Sequence, residues 1–567
     1  MVRPREGEGI KRTIVRRKDK FYAYEVTSKI ENGKKVTVSK YLGRVDPETK
    51  ELLPKIPEKS ADTRRKIAEQ RSIKMLESIH VADYGAVYLL DHIQRSIKVG
   101  EDLNTAFGNV AVQILAVSMT LVQCGGVFDA VEPTMKRTWI KRFYNLLGSQ
   151  GSSTMTDLSK KIGTDGQANM EKYFRCRIAR NKKLVAWDTT TIGCNNEMGG
   201  LAEYVKNNKD DEDIPQVKLG IATDIRGVPL MYRHYAGNVS DMDTVKLLAN
   251  DIGHSEDSEV LFVMDRGFCS GWNIRFMIDN GYRFVVPATV SGKATKRLLT
   301  RFVQEGKAVD MRFNDRMYKV WETELGIKAD VGRTKADGDQ AYTFTTEEDE
   351  GHGECGAITA FVCYSYKKYA DEMQSQREII DSLLKKASEI DCKDPVARFR
   401  RIAGKAFRHF EVEADGHKVI VKEKKKSKSF QENRAGLFIL LATKGTDWSS
   451  AMQAYDARRL VEQAFDYKKE DGHRFGTPDK ESMKGREFMR FIALTLRCEI
   501  AAKIREAGKE DWITGESAIA SLDSIQAREY EGTRIISEID KRQRTILEML
   551  GAEVPTEVLT DRLIFDA

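Results

Sequence analysis

The chain is poor in the patterns that mark thiol, zinc and membrane proteins. Its eight cysteines, Cys124, Cys176, Cys194, Cys269, Cys355, Cys363, Cys392 and Cys498, include no C-x-x-C pair. That argues against a disulfide framework and against a structural zinc site. The eight histidines are equally scattered, with no H-E-x-x-H. Any bound metal is therefore expected on carboxylates, which points to magnesium or manganese. No stretch reaches the roughly 18 uncharged apolar residues that a membrane span needs. The best candidate, Val110 to Val122, is short and contains Gln113. The opening Met-Val-Arg-Pro-Arg-Glu has no apolar h-region, so neither secretion nor a membrane partner is expected.

What is present is length and an uneven distribution of charge. At 567 residues the chain exceeds what one hydrophobic core usually serves, so several domains are expected. Residues 1–44 carry thirteen Lys and Arg against five Asp and Glu, a net of +8 in a chain whose total is +7. A basic arm of this kind suits phosphate. Phe21 to Thr27 and Val36 to Leu42 are β-rich and flank Asn32-Gly33, a strong turn signal. A hairpin is expected over 12–43, with Arg16, Arg17, Lys34 and Lys35 along or beside its strands and tyrosines between them. A basic two-stranded ribbon can enter a DNA groove; the alternative is a small sheet packed on a neighbouring domain.

Residues 47–60 hold Pro47, Pro54 and Pro57 and read as a linker; from Ser60 to Cys176 the pattern is helical. Lys136, Arg137, Lys141 and Arg142 lie near Trp139 and Phe143 there, either as a DNA contact or as a solvated face. At Lys183 the period changes. Leu184 to Ile192 and Val260 to Met264 read as buried strands, and Lys218 to Tyr232 as a hairpin. Helices are expected over 241–251 and 270–280, and a further strand over 282–287. This order predicts an α/β fold, a mixed sheet covered by helices. Residues 291–435 break the rhythm, being strand-rich and charged, and Leu437 to Leu441 restores a buried strand. One α/β domain interrupted by a large β-rich insertion is the simplest reading. An amphipathic helix is expected over 484–506, and the last sixty residues read as helical.

Three acids stand out by placement. Asp188 lies within an apolar strand, where a charge is costly unless paired or metal-bound. Asp265 ends another. Glu462 lies in Tyr455-Asp-Ala-Arg458-Arg-Leu-Val-Glu462 with Lys469 beyond. On a helix, at about 100° per residue, Tyr455, Arg458, Glu462 and Lys469 share an arc of about 60°. That face offers a carboxylate for a divalent cation, and two cations and a phenol for phosphate oxygens. An acid trio of this kind serves two-metal phosphoryl transfer. Each member also has a plain structural explanation: a turn cap or lysine pair for Asp188, a helix N-cap for Asp265, and a pair with Arg458 or Arg459 for Glu462. Asp466 competes for the third position, and Asp224 is explained by its turn.

The spacing Y-x2-R-x3-E-x6-K, met by Tyr455, Arg458, Glu462 and Lys469, resembles the signature of the YREK group of bacterial insertion-sequence DDE transposases. Trp187-Asp188-Thr-Thr-Thr, Gly227-Val-Pro-Leu, Gly237-Asn-Val-Ser-Asp241, Met264-Asp265-Arg-Gly-Phe268 and Gly436-Leu-Phe-Ile-Leu-Leu441 resemble further blocks of the group, from roughly 180 to 500. The resemblance implies an RNase H-like catalytic domain with a β-rich insertion before the Glu, and two Mg²⁺ or Mn²⁺ ions held by Asp188, Asp265 and Glu462. It implies that Tyr455, Arg458 and Lys469 contact DNA phosphates. It also implies cleavage at terminal inverted repeats through a hairpin intermediate, joining to target DNA, and a homodimer in a synaptic complex, at the nucleoid in the cytoplasm. Some relatives hold a flipped base on a tryptophan of the insertion; Trp321 and Trp448 leave that role open.

The organisation so read is a basic N-terminal β-hairpin and linker at 1–59 and a helical, DNA-binding region at 60–178. A catalytic domain follows, split into 179–290 and 436–508 by an insertion at 291–435. A helical C-terminus at 509–567 is a candidate for dimerisation. Rival readings are a catalytically inactive DNA-binding inhibitor or decayed copy, and a nuclease that cuts without joining.

Overall fold

The computed structural model divides into two units, 1–80 and 81–567. It describes the chain except for residues 1–9, 19, 32–33, 54–60, 182–183, 195–214, 240, 253–259, 290–291, 335–339, 347–348, 350–356, 471–473, 476–478 and 565–567.

The first unit is an antiparallel sheet of Ile10–Arg17, Lys20–Glu31 and Lys34–Val45, followed by the helix Ala61–Ser78. The expected hairpin thus gains a third strand, and its Asn32-Gly33 turn lies outside the described residues. β-Branched and aromatic residues favour these extended segments. Few of their side chains are buried; Ala23 and Val45 are. The four cations singled out above are exposed but do not form one patch. Arg17 pairs with Lys20 at one end of the sheet, and Lys34 with Glu31 at the other. The twelve-residue central strand separates the two groups by roughly 37 Å at ~3.4 Å per residue.

The second unit is built on a mixed sheet. Its strand order is Val309–Phe313, Arg316–Thr334, Ala357–Ser365, Leu437–Thr443, Arg283–Pro287, Leu261–Met264, Leu184–Cys194, Gln216–Thr223 and Pro229–Ala236. Leu184–Cys194, Leu261–Met264 and Arg283–Pro287 run parallel, and the flanking pairs are antiparallel. The parallel segments 185–187, Leu261–Met264 and 284–286 are apolar and buried, as parallel strands must be where helices cover them. The strands of the insertion are not a detached sheet. Arg316–Thr334 and Ala357–Ser365 extend the central sheet through Leu437–Thr443. The helices Tyr366–Ser388 and Pro395–Ala403 and the hairpin Phe410–Asp415/Lys418–Glu423 enclose a second, small core around Leu383, Phe399 and Phe410.

The helical region does not have a core of its own. One continuous apolar cluster runs from Ala82 to Ile564 and joins the helices to the sheet. At its centre lies Lys480–Glu506, buried almost all round rather than on one face. Ser152–Asp165 crosses it at two glycines. A Cβ on Gly163 would stand 1.9 Å from Glu481 O, and one on Gly485 2.0 Å from Ser159 O, so only glycine permits this approach.

Two expectations need correction. Val99–Gln123 is long and apolar enough to match a membrane span. It is mostly buried, with Leu103, Ile114, Leu115 and Met119 fully inaccessible, as a core helix requires. The last sixty residues are not all helical. Between Gly515–Asp523 and Lys541–Met549 lies the hairpin Gln526–Tyr530/Thr533–Ile536.

Candidate active site

Asp188 and Asp265 are neighbours because of strand register. Trp187 pairs with Met264 on adjacent parallel strands, so the residue after each carries an acid at the same level, with the strands ~4.8 Å apart. The Asp188 strand continues to Cys194, while the other ends at Met264. Asp265 does not cap a helix with its side chain; the cap of Gly271–Asp279 is Ser270, which accepts from Asn273 N at 3.1 Å. That removes the plain explanation for Asp265. Asp188 Oδ1 accepts from Thr189 N at 2.8 Å. Asp224, by contrast, accepts from Arg226 N and Val228 N, both at 2.9 Å, and is the turn acid it was read to be.

The third acid arrives on the helix Trp448–Glu470. Its buried face is built from Ala451, Ala454, Ala457, Val461 and Ala464. These small side chains let the helix lie close over the strands that carry the two aspartates. Tyr455, Arg458 and Glu462 follow one face, as expected. Lys469 falls in the last turn, with its side chain outside the described residues. Asp466 is exposed.

Arg458 ties the group together. Its Nη1 lies 2.5 Å from Asp265 Oδ1 and 3.2 Å from Glu462 Oε1. So the plain explanation of Glu462, a pair with Arg458, holds in part, but the same guanidinium also serves Asp265. Arg458 Nε is buried with no hydrogen-bond partner among the described residues. Its Cζ stands 5.7 Å from the Tyr455 ring centroid, and Tyr455 stacks on Phe438 at 5.6 Å and 13°. Burial pushes Asp188 up to about 7, reinforced by the charges of Asp265 and Glu462 and opposed by the Thr189 amide and Arg458. Asp188 therefore feels both of the other acids.

Among the described residues no three acids, histidines or cysteines stand close enough to enclose a metal ion. Arg458 bridges the two carboxylates that a cation would join. The donor chemistry nonetheless fits a hard divalent cation: all three groups are carboxylates, and the half-buried Asp188 is raised by burial and by the other two acids.

Other candidates fall away. Trp321 and Trp448 are both core side chains; Arg301 stacks on the first, and Tyr318 and Phe361 meet the second edge-on. The cluster at 136–142 is locally satisfied. Arg137 pairs with Asp83 at 2.5 Å, Lys136 with Glu132 at 2.7 Å, and Arg142 with Glu529, while Trp139 and Phe143 are core. Sequence reasoning missed Lys368 and Arg434, which line a cleft beside Asp265 and Arg458. Nothing in their local sequence distinguishes them from surface cations.

A family model described as "Transposase DDE domain" matches residues 180–496, more than half of the chain. No curated protein matches. Among solved structures, the chain is similar to one described as a cryo-EM structure of the piggyBac transposase synaptic complex with hairpin DNA. The identity is 11% and the TM-score 0.21, with 74% of this chain and 76% of that one covered. The matched span contains Asp188, Asp265 and Glu462 and both halves of the central sheet, and the chain belongs to the transposase DDE domain family.

Proposed function

We propose that this chain is a cut-and-paste transposase of the YREK group. It binds the terminal inverted repeats of an insertion sequence, cleaves the ends through a hairpin intermediate and joins them to target DNA. The observation that carries the reading is that strand register sets Asp188 beside Asp265 while Arg458 links Asp265 to Glu462. The order Pro229–Ala236, Gln216–Thr223, Leu184–Cys194, Leu261–Met264, Arg283–Pro287, three antiparallel strands followed by two parallel ones, supports an RNase H-like catalytic sheet.

In this reading Asp188, Asp265 and Glu462 would hold two Mg²⁺ or Mn²⁺ ions. When bound, these supply charge at the scissile phosphate and a deprotonated attacking oxygen. Arg458 holds Asp265 and Glu462 in place before DNA arrives and turns to a backbone phosphate when it does. Tyr455, anchored on Phe438, and Lys469 complete that grip. Arg16, Arg17, Lys34 and Lys35 grip duplex phosphates at two separated points. Residues 60–178 contribute further DNA contacts, 291–435 is the insertion, 509–567 contributes to dimerisation, and the working form is a homodimer bridging two ends.

The test is to incubate purified protein with duplex carrying the inverted repeats that flank its gene, in Mn²⁺ and in EDTA. Metal-dependent nicks, hairpins and strand joining are expected. Asp188→Ala should abolish cleavage and leave binding nearly intact. Binding without nicking would identify an inactive binder, and cutting without joining a nuclease.

A further inference from the structure

A cleft of about 470 Å³ opens beside Asp265 and Arg458. Its wall is assembled from three places in the sequence. Arg266 follows the second acid, Lys368 lies in the first turn of the insertion helix Tyr366–Ser388, and Arg434 stands in the turn before Leu437–Thr443. Arg458, shared between Asp265 and Glu462, completes a lining of four cations, with Asp265 and Glu372 as its carboxylates.

The parts are held in place. Glu372 accepts from Gly436 N at 2.8 Å, which fastens the turn carrying Arg434 to the insertion helix. Gly436 has φ +78°, and a Cβ there would stand 2.8 Å from both Ser365 O and Tyr369 Cβ, so the turn requires glycine. Lys368 Nζ lies 5.0 Å from the Phe438 ring centroid and 3.8 Å from Glu372. Burial holds its ammonium below the usual lysine range; Glu372 works against this, and the charges of Arg266 and Arg458 add to it. The stacked rings of Phe438 and Tyr455 form an apolar side to the same cleft. A cationic wall beside aromatic rings suits a phosphate with its sugar against the rings.

We propose that this cleft seats one backbone phosphate of the DNA strand, next to the scissile one, and that Lys368 and Arg434 are its holders. The insertion then contributes directly to substrate binding, through residues outside the Tyr455, Arg458, Glu462 and Lys469 face. The proposal rests on the transposase reading, since it takes DNA to be the ligand at Asp265.

The experiment compares wild type with Lys368→Met/Arg434→Gln and with Arg434→Gln alone. Methionine keeps the lysine stem's packing on Phe438, and the thermal midpoint of each variant confirms folding. Binding to the terminal-repeat duplex is measured in EDTA against salt, and against single methylphosphonate replacements near the cleavage point. The slope of log K against log salt should become shallower by about one in the double variant. One methylphosphonate should weaken wild type by about tenfold and cost the double variant nothing further. If wild type cleaves in Mn²⁺ but slope and methylphosphonate costs match in both proteins, the cleft assignment is overturned and the transposase reading stands. If wild type neither binds nor cleaves this DNA, both fall together.

Discussion

The helix Trp448–Glu470 carries two charged groups that solve opposite problems. Near its C-terminal end, Lys468 Nζ pairs with Glu487 at 3.1 Å, and both side chains are almost wholly buried. Burial works against the Glu487 charge, but Lys468, His234 and Arg490 outweigh it and hold the carboxyl below its ordinary range. That site is closed and balanced, and it pins the helix to Lys480–Glu506. Around Arg458 the balance fails. One guanidinium serves two acids, its Nε has no partner among the described residues, Asp188 is pushed up to about 7, and half of the Glu462 side chain is open. A structural ion pair is complete in itself, whereas this group shares one guanidinium between two acids and leaves a third acid raised beside them. Such incompleteness is what a cation- and phosphate-binding site requires.

The largest expected break between the two groups is in catalysis. Asp265→Asn and Glu462→Gln should each lower the Mn²⁺-dependent cleavage rate by at least ~1,000-fold, about 4 kcal/mol of barrier. The thermal midpoint should move little. Glu487→Gln should do the reverse. Leaving Lys468 buried without its partner should cost about 3–5 kcal/mol in denaturant unfolding. Lys468→Met/Glu487→Leu should recover most of that loss, with cleavage per folded molecule retained.

A smaller effect concerns acid. Burial holds His234 neutral, with its pKa lowered to about 4 despite the charge of Glu487. A base lowered on folding contributes stability that is complete above the unfolded value near 6.5 and is lost as pH falls toward 4. The loss should be on the order of 3 kcal/mol. In His234→Gln the slope of stability against pH in that window should flatten.

The acids were legible in the sequence because a charge inside an apolar strand contradicts its surroundings, as Asp188 does between Ala186-Trp187 and Ile192. The shared face of Tyr455, Arg458 and Glu462 was legible because helical spacing fixes it. Strand partners were not, since pairing across long separations leaves no local mark. The run Arg316–Thr334 therefore read as part of a separate insertion rather than as an extension of the catalytic sheet. The hairpin at Gln526–Ile536 escaped for a sharper reason. Its turn residues Glu531 and Gly532 have φ of 48° and 81°, a turn normally announced by Asn-Gly or Asp-Gly. Lys368 and Arg434 are far apart in sequence, and only the fold brings them to one cleft.

The most direct test measures two properties of one variant, Asp188→Asn. A carboxyl raised on folding from 3.8 to about 7 costs stability above pH 7, and the cost fades as pH falls toward the unfolded value. In metal-free protein at pH 8, Asp188→Asn should therefore raise the thermal midpoint by a few degrees, with less gain at pH 5. In Mn²⁺ with terminal-repeat DNA, it should no longer cleave. A variant that melts lower than wild type at pH 8 and still cleaves would contradict the account.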